Sequence, residues 1–504
     1  MNSIPALRSS TIADVLRRTA RRSPDRTAIV FGDRTWTYAE LDAGVTALAR
    51  HLVSQGLDHG DRVAAYGKNS DLYALVFLAT VRAGLIHVPV NYQLKNDELE
   101  YILDDSGARL VISDATMAAD VDATEAGRAA LRVDFEDLLD TARAADIAPE
   151  AMGEFDVTDT DVAQLLYTSG TTSLPKGAVM THRALLHHYL SCLDVLDFDE
   201  GDRQVHALPL YHSAQMHVFL IPALIKGAYN IIVPVPVPGD LLALIESEGI
   251  NTFFAAPTVW VALVNHPDFA TRDLTSLRKA YYGASIMPGP VLHKLVAHLP
   301  ELGFYNCFGQ SEMGPLCTVL RPEEHKDRLG SAGRACLFVE TRVVDPSGVD
   351  VEPGTQGEIL YRSPQLCEGY WNKPEATEEA FRDGWFHSGD LVIQDAEGYV
   401  EVIDRVKDVI NTGGVLVASR QVEDAIFELD SVAEVAVIGM PDEKWIEAIT
   451  AYVVRKDDSL TAEQVIEHVK GRLAGFKVPK AVHFVDELPK NSSGKILKRT
   501  LRSR

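Results

Sequence analysis

Between Thr168 and Gly177 the chain reads Thr-Ser-Gly-Thr-Thr-Ser-Leu-Pro-Lys-Gly, a set of groups suited to holding a polyphosphate. Gly170 and Gly177 let backbone N–H groups approach an anion with no Cβ in the way. The hydroxyls of Thr168, Ser169, Thr171 and Thr172 can donate, and Lys176 adds charge. The spacing differs from a Walker loop, which closes Gly-Lys-Ser/Thr. A stretch rich in Ser, Thr and Gly is ordinarily a solvated loop. Here the apolar run Val162–Tyr167 leads straight into it, as a buried strand would, so nucleotide chemistry is the first expectation.

Three further constellations follow in order. Asn306-Cys-Phe-Gly-Gln-Ser-Glu312 places an aromatic ring, a glycine, a hydroxyl and a carboxylate together, enough for base stacking, a phosphate contact and one metal ligand. Gly384-Trp-Phe-His-Ser-Gly-Asp390 ends in an acid directly after a glycine, and Asp404-Arg-Val-Lys-Asp408 lies just downstream. Pro489-Lys-Asn-Ser-Ser-Gly-Lys495 puts a lysine after a Ser-Ser-Gly hinge.

The elements that must carry these groups read as α/β. Over 11–115, helical periodicity (Ile12–Thr19, Tyr38–Gln55, Asp71–Ala83) alternates with short apolar runs (Thr27–Phe31, Arg62–Ala65, His87–Pro89, Arg109–Ser113), which predicts βαβ units around one largely parallel sheet. The rhythm recurs with helix Arg183–Leu196, run Asn230–Val235, helix Gly239–Glu248, run Thr252–Ala255 and helix Pro290–Leu299, predicting a second α/β subdomain. From about 340 to 404, short strands punctuated by Pro/Gly/Asp turns predict an antiparallel β unit. Helix Gln421–Phe427, strands Val432–Ile438 and Ile449–Val454 and helix Ala462–Leu473 then predict a compact α+β module. The expected division is 1–404 for an ATP- and acyl-binding domain and 405–504 for a small mobile one.

Composition narrows the function classes. A length of 504 residues calls for at least two domains. The net charge of -24 repels phosphate backbones and argues against nucleic-acid partners. Lys490, Lys495, Lys498, Arg499, Arg502 and Arg504 form the one basic block. Five cysteines without Cys-x-x-Cys spacing point to a reducing compartment, so a cytoplasmic location is expected. Tyr73–Val81 and Val218–Ile225 are well short of the roughly 18 apolar residues that a membrane span needs.

Taken as an ordered set from Thr37-Tyr-Ala-Glu-Leu41 to Lys495, these motifs resemble the adenylate-forming (AMP-binding) superfamily: acyl-CoA synthetases, nonribosomal peptide adenylation domains and beetle luciferases. The resemblance implies a large N-terminal domain of two α/β subdomains and a β subdomain, a small mobile C-terminal domain, and two steps. A carboxylate attacks the α-phosphate of ATP to give acyl-AMP and pyrophosphate; a thiol, usually that of CoA, then displaces AMP. It implies that Thr168, Ser169, Gly170, Thr171, Thr172 and Lys176 bind the β and γ phosphates and that Glu312 binds Mg²⁺. Phe308 matches the ring stacked on adenine; Asn306, Gly309, Gln310 and Ser311 match positions around the base and α-phosphate, and Gly283, Ala284 and Ser285 the strand end beside them. Asp390 and Arg405 match the ribose pair, and Lys495 matches the catalytic lysine of adenylation. His212, in Leu208-Pro-Leu-Tyr-His212, matches an aromatic gate on the acyl channel. Lys407 matches the hinge, and Gly413 and Gly414 the CoA tunnel.

The chain departs from the pattern at Ser173, at Asp404, over Val415–Gln421, and at Ile446, where glycine is common. The expected activity is an AMP-forming carboxylic acid:CoA ligase on an apolar acid, fatty acids of medium or long chain first and aryl or phenylpropenoid acids second. Tyr211, His212, Met216 and Gly283 are expected at the acyl pocket, with Gly283 leaving its end of the channel open and Val218, Trp260 and Tyr282 adding to the apolar set. The alternative is an acyl-AMP ligase that loads a carrier protein; a non-catalytic nucleotide sensor is a third reading that the intact motif residues disfavour.

Overall fold

The computed structural model describes residues 10–502 apart from 145, 146, 152, 169–173, 284–286, 288, 414, 443, 458 and 491–495. The chain forms two compact units. The first gathers Met1–Thr168, Pro175–Glu340 and Arg362–Phe381; the second contains Thr341–Tyr361 and Arg382–Arg504.

The first unit opens with α1 (Ile12–Arg22), β1 (Thr27–Phe31), β2 (Arg34–Thr37), α2 (Tyr38–Ser54), β3 (Arg62–Tyr66), α3 (Asp71–Arg82), β4 (Ile86–Val90), β5 (Ala108–Ser113), β6 (Leu131–Asp134), β7 (Val162–Thr168) and β8 (Lys176–Thr181). Reciprocal capping boxes, Thr11 with Asp14 and Thr37 with Glu40, start the first two helices. All twelve residues of α3 are buried. A helix apolar on every face belongs inside a core, and the charges at its ends are paired there. Asp71 accepts from the Trp36 indole at 2.7 Å and from Arg34 at 2.6 Å, and Arg82 donates to Asp42 at 2.5 Å and to Thr46 at 2.7 Å.

Strands β6-β5-β3-β4-β7 run parallel, with β8 antiparallel at the edge beside β7. The next elements are α4 (His182–Val195), β9 (Arg203–His206), β10 (Tyr229–Ile232), α5 (Pro238–Glu248), β11 (Thr252–Phe254), β12 (Lys279–Gly283), α6 (Gly289–His298), β13 (Gly303–Gly309), β14 (Leu316–Leu320) and β15 (Arg334–Ala335). They build a nine-stranded sheet ordered β15-β14-β13-β12-β11-β9-β10-β1-β2. Here the expectation of a single sheet over 11–115 is corrected. β1 leaves its sequence neighbours and pairs in parallel with β10, Ile29 opposite Asn230. Periodicity marks a strand but carries no information about its partner.

In the second unit β16 (Glu340–Val344), β17 (Gln356–Arg362), β18 (Phe381–Arg382), β19 (Trp385–Gln394) and β20 (Val400–Arg405) form the expected antiparallel sheet. β21 (Ile410–Thr412), β22 (Val415–Val417), α7 (Ser419–Phe427), β23 (Val432–Asp442), β24 (Ile446–Arg455), α8 (Ala462–Lys470) and β25 (Ala481–Phe484) complete it. The β23–β24 ladder extends to Asp442 opposite Ile446, longer at both inner ends than the apolar runs predict. Buried Ile410, Val422, Ile426, Val437, Ile449 and Val465 belong to its core.

Candidate active site

Strand β7 ends where the Thr168–Lys176 segment begins, and β8 starts where it ends. Thr168 stands opposite Lys176 in the ladder, its hydroxyl 3.4 Å from the Lys176 carbonyl. Ser169, Gly170, Thr171, Thr172 and Ser173 lie outside the described residues, as do Ala284, Ser285, Gly414 and Lys495. Of the six residues expected to bind phosphate, Thr168 and Lys176 are the two described.

The Asn306–Glu312 motif lies on β13 and the turn after it. Asn306 donates to the Ser331 carbonyl at 2.9 Å, and Phe308 is half-buried. A Cβ on Gly309 would collide with the Pro315 carbonyl, so glycine is required where β13 closes on the return strand. The Gln310 N–H donates to that same carbonyl at 3.0 Å. Ser311 and Ser213 join their hydroxyls at 3.0 Å, which ties this turn to the segment carrying His212. Glu312 is 8% exposed; the Tyr370 hydroxyl donates to its Oε1 at 3.0 Å, and no basic side chain pairs with it among the described residues. A buried carboxylate with open lone pairs and no counter-cation fits a divalent ion that completes its shell with phosphate oxygens and water. The Lys176 ammonium stands 5.0 Å from the centre of the Tyr370 ring.

The Gly369-Tyr-Trp371 segment escaped the sequence reading. It lies beside β8 like an added strand: Val179 N–H donates to Gly369 O at 2.9 Å and Trp371 N–H to Gly177 O at 2.7 Å. Its only local signal is a glycine and two aromatics ahead of Pro374, which opens a short helix.

His212 is half-buried, and burial lowers its pKa. Its Nδ1 accepts from the Ala214 N–H at 3.3 Å, so the neutral ring carries its proton on Nε2. A π-helical turn, Ala214–Leu220, follows, a form that periodicity at 3.6 does not predict. Tyr211 meets Tyr92 edge to face at 5.7 Å, and Met216 is buried in the same core. Trp260 and Tyr282 belong to a different core, so the expected apolar set is divided. Gly283 has a second reason to be glycine. A Cβ there would collide with the Cys307 carbonyl of β13, so close strand pairing requires glycine at this position.

In the second unit Asp390 and Arg405 face each other across β19 and β20 and form a 2.7 Å ion pair. Asp390 is 3% exposed, unlike a solvated surface pair. The departures at Asp404 and over Val415–Gln421 explain each other. Asp404 Oδ2 accepts from the Ser419 N–H and hydroxyl, both at 2.7 Å, and from the Arg420 N–H at 3.4 Å, capping α7 from outside the helix. Lys498 donates to the Ser419 hydroxyl at 2.6 Å and pairs with Glu423 at 2.8 Å. Lys407 lies exposed in the turn Val406–Asp408. Gly413 has φ +65°, and its N–H donates to the Trp445 carbonyl at 2.5 Å. Ile446, where glycine was expected, has φ +66° and is 58% exposed, a strained backbone for a β-branched residue.

All five cysteines are buried, and none forms a disulfide. Burial raises the thiol pKa of Cys192, Cys307, Cys336 and Cys367. Among the described residues no group of three or more His, Cys, Asp or Glu could hold a metal, and no helix is long and apolar enough to cross a membrane.

Residues 16–371 match the family described as AMP-binding enzyme, and residues 421–495 match the AMP-binding enzyme C-terminal domain. The chain belongs to this family. It is 38% identical over 488 residues to a feruloyl-CoA synthase of Amycolatopsis sp, covering 97% of each chain. It is 34% identical over 498 residues to a long-chain-fatty-acid–CoA ligase of Mycobacterium tuberculosis, again covering 97% of each. A fatty acid–[acyl-carrier-protein] ligase of Streptomyces coeruleorubidus is 32% identical over 493 residues, covering 96% of this chain and 94% of that one. The o-succinylbenzoate-CoA synthetase of Bacillus subtilis, in complex with ATP and magnesium ion, superposes with a TM-score of 0.87 at 28% identity, over 97% of this chain and 98% of that one. The chain is thus an AMP-forming acid–thiol ligase of the acyl-CoA synthetase kind, a family whose co-substrates are ATP and CoA.

Proposed function

We propose that the protein joins an apolar carboxylic acid to CoA through an acyl-AMP intermediate, with aryl and phenylpropenoid acids ahead of fatty acids. The sequence alone ranks fatty acids first. The 38% identity to a feruloyl-CoA synthase against 34% to a long-chain-fatty-acid–CoA ligase supports the reverse order. The observation that carries the nucleotide reading is the convergence of buried Glu312 and half-buried Lys176 on Tyr370, at the end of the Thr168–Lys176 segment.

In this reading Lys176 and the donors from Thr168 to Thr172 hold the β and γ phosphates, and Glu312 holds Mg²⁺. When bound, Mg²⁺ neutralises charge on the phosphate oxygens. Phe308 stacks on adenine; Asn306, Gly309, Gln310 and Ser311 surround the base and α-phosphate, with Gly283, Ala284 and Ser285 flanking. Asp390, oriented by Arg405, accepts from the ribose hydroxyls. Lys495 brings a positive charge to the carboxylate and α-phosphate as an acid oxygen bonds to phosphorus and pyrophosphate leaves. His212 gates the channel bounded by Tyr211 and Met216. The 405–504 domain then turns about Lys407 and presents Gly413 and Gly414 to pantetheine. The CoA sulfur bonds to the acyl carbon, and AMP leaves with the electron pair of the broken C–O bond.

The test is an incubation with ATP, Mg²⁺, CoA and ferulate, benzoate, decanoate, palmitate or malonate, following AMP and acyl-CoA. Ferulate turned over faster than the fatty acids is expected; malonate as the best substrate would overturn the apolar assignment. Lys495→Ala should abolish acid-dependent pyrophosphate exchange yet still convert supplied acyl-AMP to thioester. Equal loss of both half-reactions would contradict the role of that lysine.

A further inference from the structure

Tyr370 touches both charged groups assigned to the nucleotide, although it is 58 residues from Glu312 and 194 from Lys176 in the chain. Its backbone is fixed from three directions. The Tyr370 N–H donates to the Thr377 hydroxyl at 2.9 Å, residues 369 and 371 pair with β8, and Cys367 N–H donates to the Glu312 carbonyl at 2.8 Å. The neighbouring Trp371 indole and Lys373 ammonium both reach Asp105, at 3.1 and 2.8 Å. A side chain on so anchored a segment has little freedom of its own. Its hydroxyl donates to Glu312 Oε1 at 3.0 Å, and its ring lies under the Lys176 ammonium.

We propose that Tyr370 is a positioning residue for the magnesium–nucleotide site, working through two different faces of one side chain. The inference rests on the nucleotide reading of Glu312 and Lys176. By occupying one lone pair of Oε1, the hydroxyl selects the carboxylate rotamer and leaves Oε2 for the cation. By its negative face, the ring keeps the ammonium at the foot of the phosphate segment. Losing the hydroxyl acts on the metal alone, whereas losing the ring acts on the nucleotide with or without metal.

The test is equilibrium binding of ATP to the full chain, by calorimetry, over a range of free Mg²⁺ and in EDTA. Tyr370→Phe should raise the Mg²⁺ needed for half-maximal tight binding by roughly 10- to 100-fold, the usual effect of removing a metal ligand's hydrogen-bond partner. Its affinity in EDTA should equal that of the unaltered protein. Tyr370→Leu should in addition weaken binding in EDTA by a few-fold. In a Glu312→Gln background, Tyr370→Phe should add nothing to the loss. Overlaid Mg²⁺ curves for Tyr370→Phe and the unaltered protein overturn the proposal while leaving the nucleotide site standing. Equal weakening with and without Mg²⁺, or full additivity with Glu312→Gln, also overturns it by assigning Tyr370 a general packing role. Unaltered protein whose ATP affinity ignores Mg²⁺ sinks the reading of Glu312 beneath it. Should Tyr370→Phe lower the melting temperature sharply, the ratio of its ATP affinities with Mg²⁺ and in EDTA, taken well below that temperature where the variant is folded, reads the same contact, and a ratio equal to that of the unaltered protein overturns the proposal.

Discussion

Acidification from pH 7 to 5 should remove most of the stability of the first unit, because its interior holds imidazoles that burial keeps neutral. Burial lowers His87 and His188 to about 3 and His182 and His206 to about 4. The hydrogen bonds agree with neutral rings. Asn230 spends its NH₂ on the Ala28 and Ala228 carbonyls, so its Oδ1 accepts from His206 Nε2 at 2.9 Å. Gln215 spends its oxygen on the Leu208 N–H, so its NH₂ donates to His206 Nδ1 at 2.8 Å. Unfolded, each imidazole gains a proton near its ordinary value of about 6.5; folded, it stays neutral down to 3 or 4. The stability these groups contribute is complete above the unfolded value and is lost as pH falls toward the folded ones. At pH 5 the loss is about 2 kcal/mol for each ring, roughly 8 kcal/mol for four, against a typical total of about 5–15 kcal/mol. Burial raises Asp114, Glu150 and Asp202, and these act in the opposite sense and offset part of it. Unfolding in denaturant at pH 5.5 in dilute buffer should therefore take up several protons, about 0.9 for each of the four rings less the carboxylate share. His87, which has no partner at either ring nitrogen among the described residues and lies against Phe77 at 5.3 Å, offers a control. His87→Phe should cut the uptake by about one proton. Equal unfolding free energies at pH 7 and 5, or an uptake below about one proton, would refute the argument.

Asp404→Ala should destabilise the second unit by about 2–3 kcal/mol in urea, since the helix donors it caps are left unmet. Combined with Ser419→Ala it should show a coupling of about 1 kcal/mol or more; strict additivity would mean that the two do not act together. Ile446→Gly should stabilise the same unit by roughly 0.5–1 kcal/mol, the relief of left-handed strain less the added entropy of the unfolded chain. Slower hydrogen exchange along β24 checks it, and faster exchange would show that the side chain matters more than the backbone.

What the sequence made legible followed the range of the forces involved. The helices beginning at Ile12 and Tyr38 were readable from local periodicity, with their caps Thr11 and Thr37 standing just ahead of them, as was the strand Val162–Tyr167 leading to the Thr168–Lys176 segment. Glu312, Asp390 and Lys176 stood out because their neighbours in the chain already suggested a chemistry. Tyr370 did not, because what it does depends on two residues far off in sequence. The pairing of β1 with β10, the Asp404–Ser419 contact and the π-helical turn after His212 were hidden for the same reason. Ile446 was visible as a departure from pattern, but only its φ of +66° turns the departure into a physical cost.

The cysteines bear on the fate of an activated acyl group. A mixed anhydride of acid and AMP is attacked by any thiolate in reach, and an enzyme with a reactive sulfur of its own would acylate itself. Here every cysteine is buried, and burial keeps the thiols of Cys192, Cys307, Cys336 and Cys367 protonated. Buried, protonated thiols of this kind are poor nucleophiles toward an activated acyl group. The same seclusion makes the natural chain a quiet background for cysteine-directed labels, so a pair of surface cysteines introduced on either side of Lys407 can test the proposed rotation without the native five being removed.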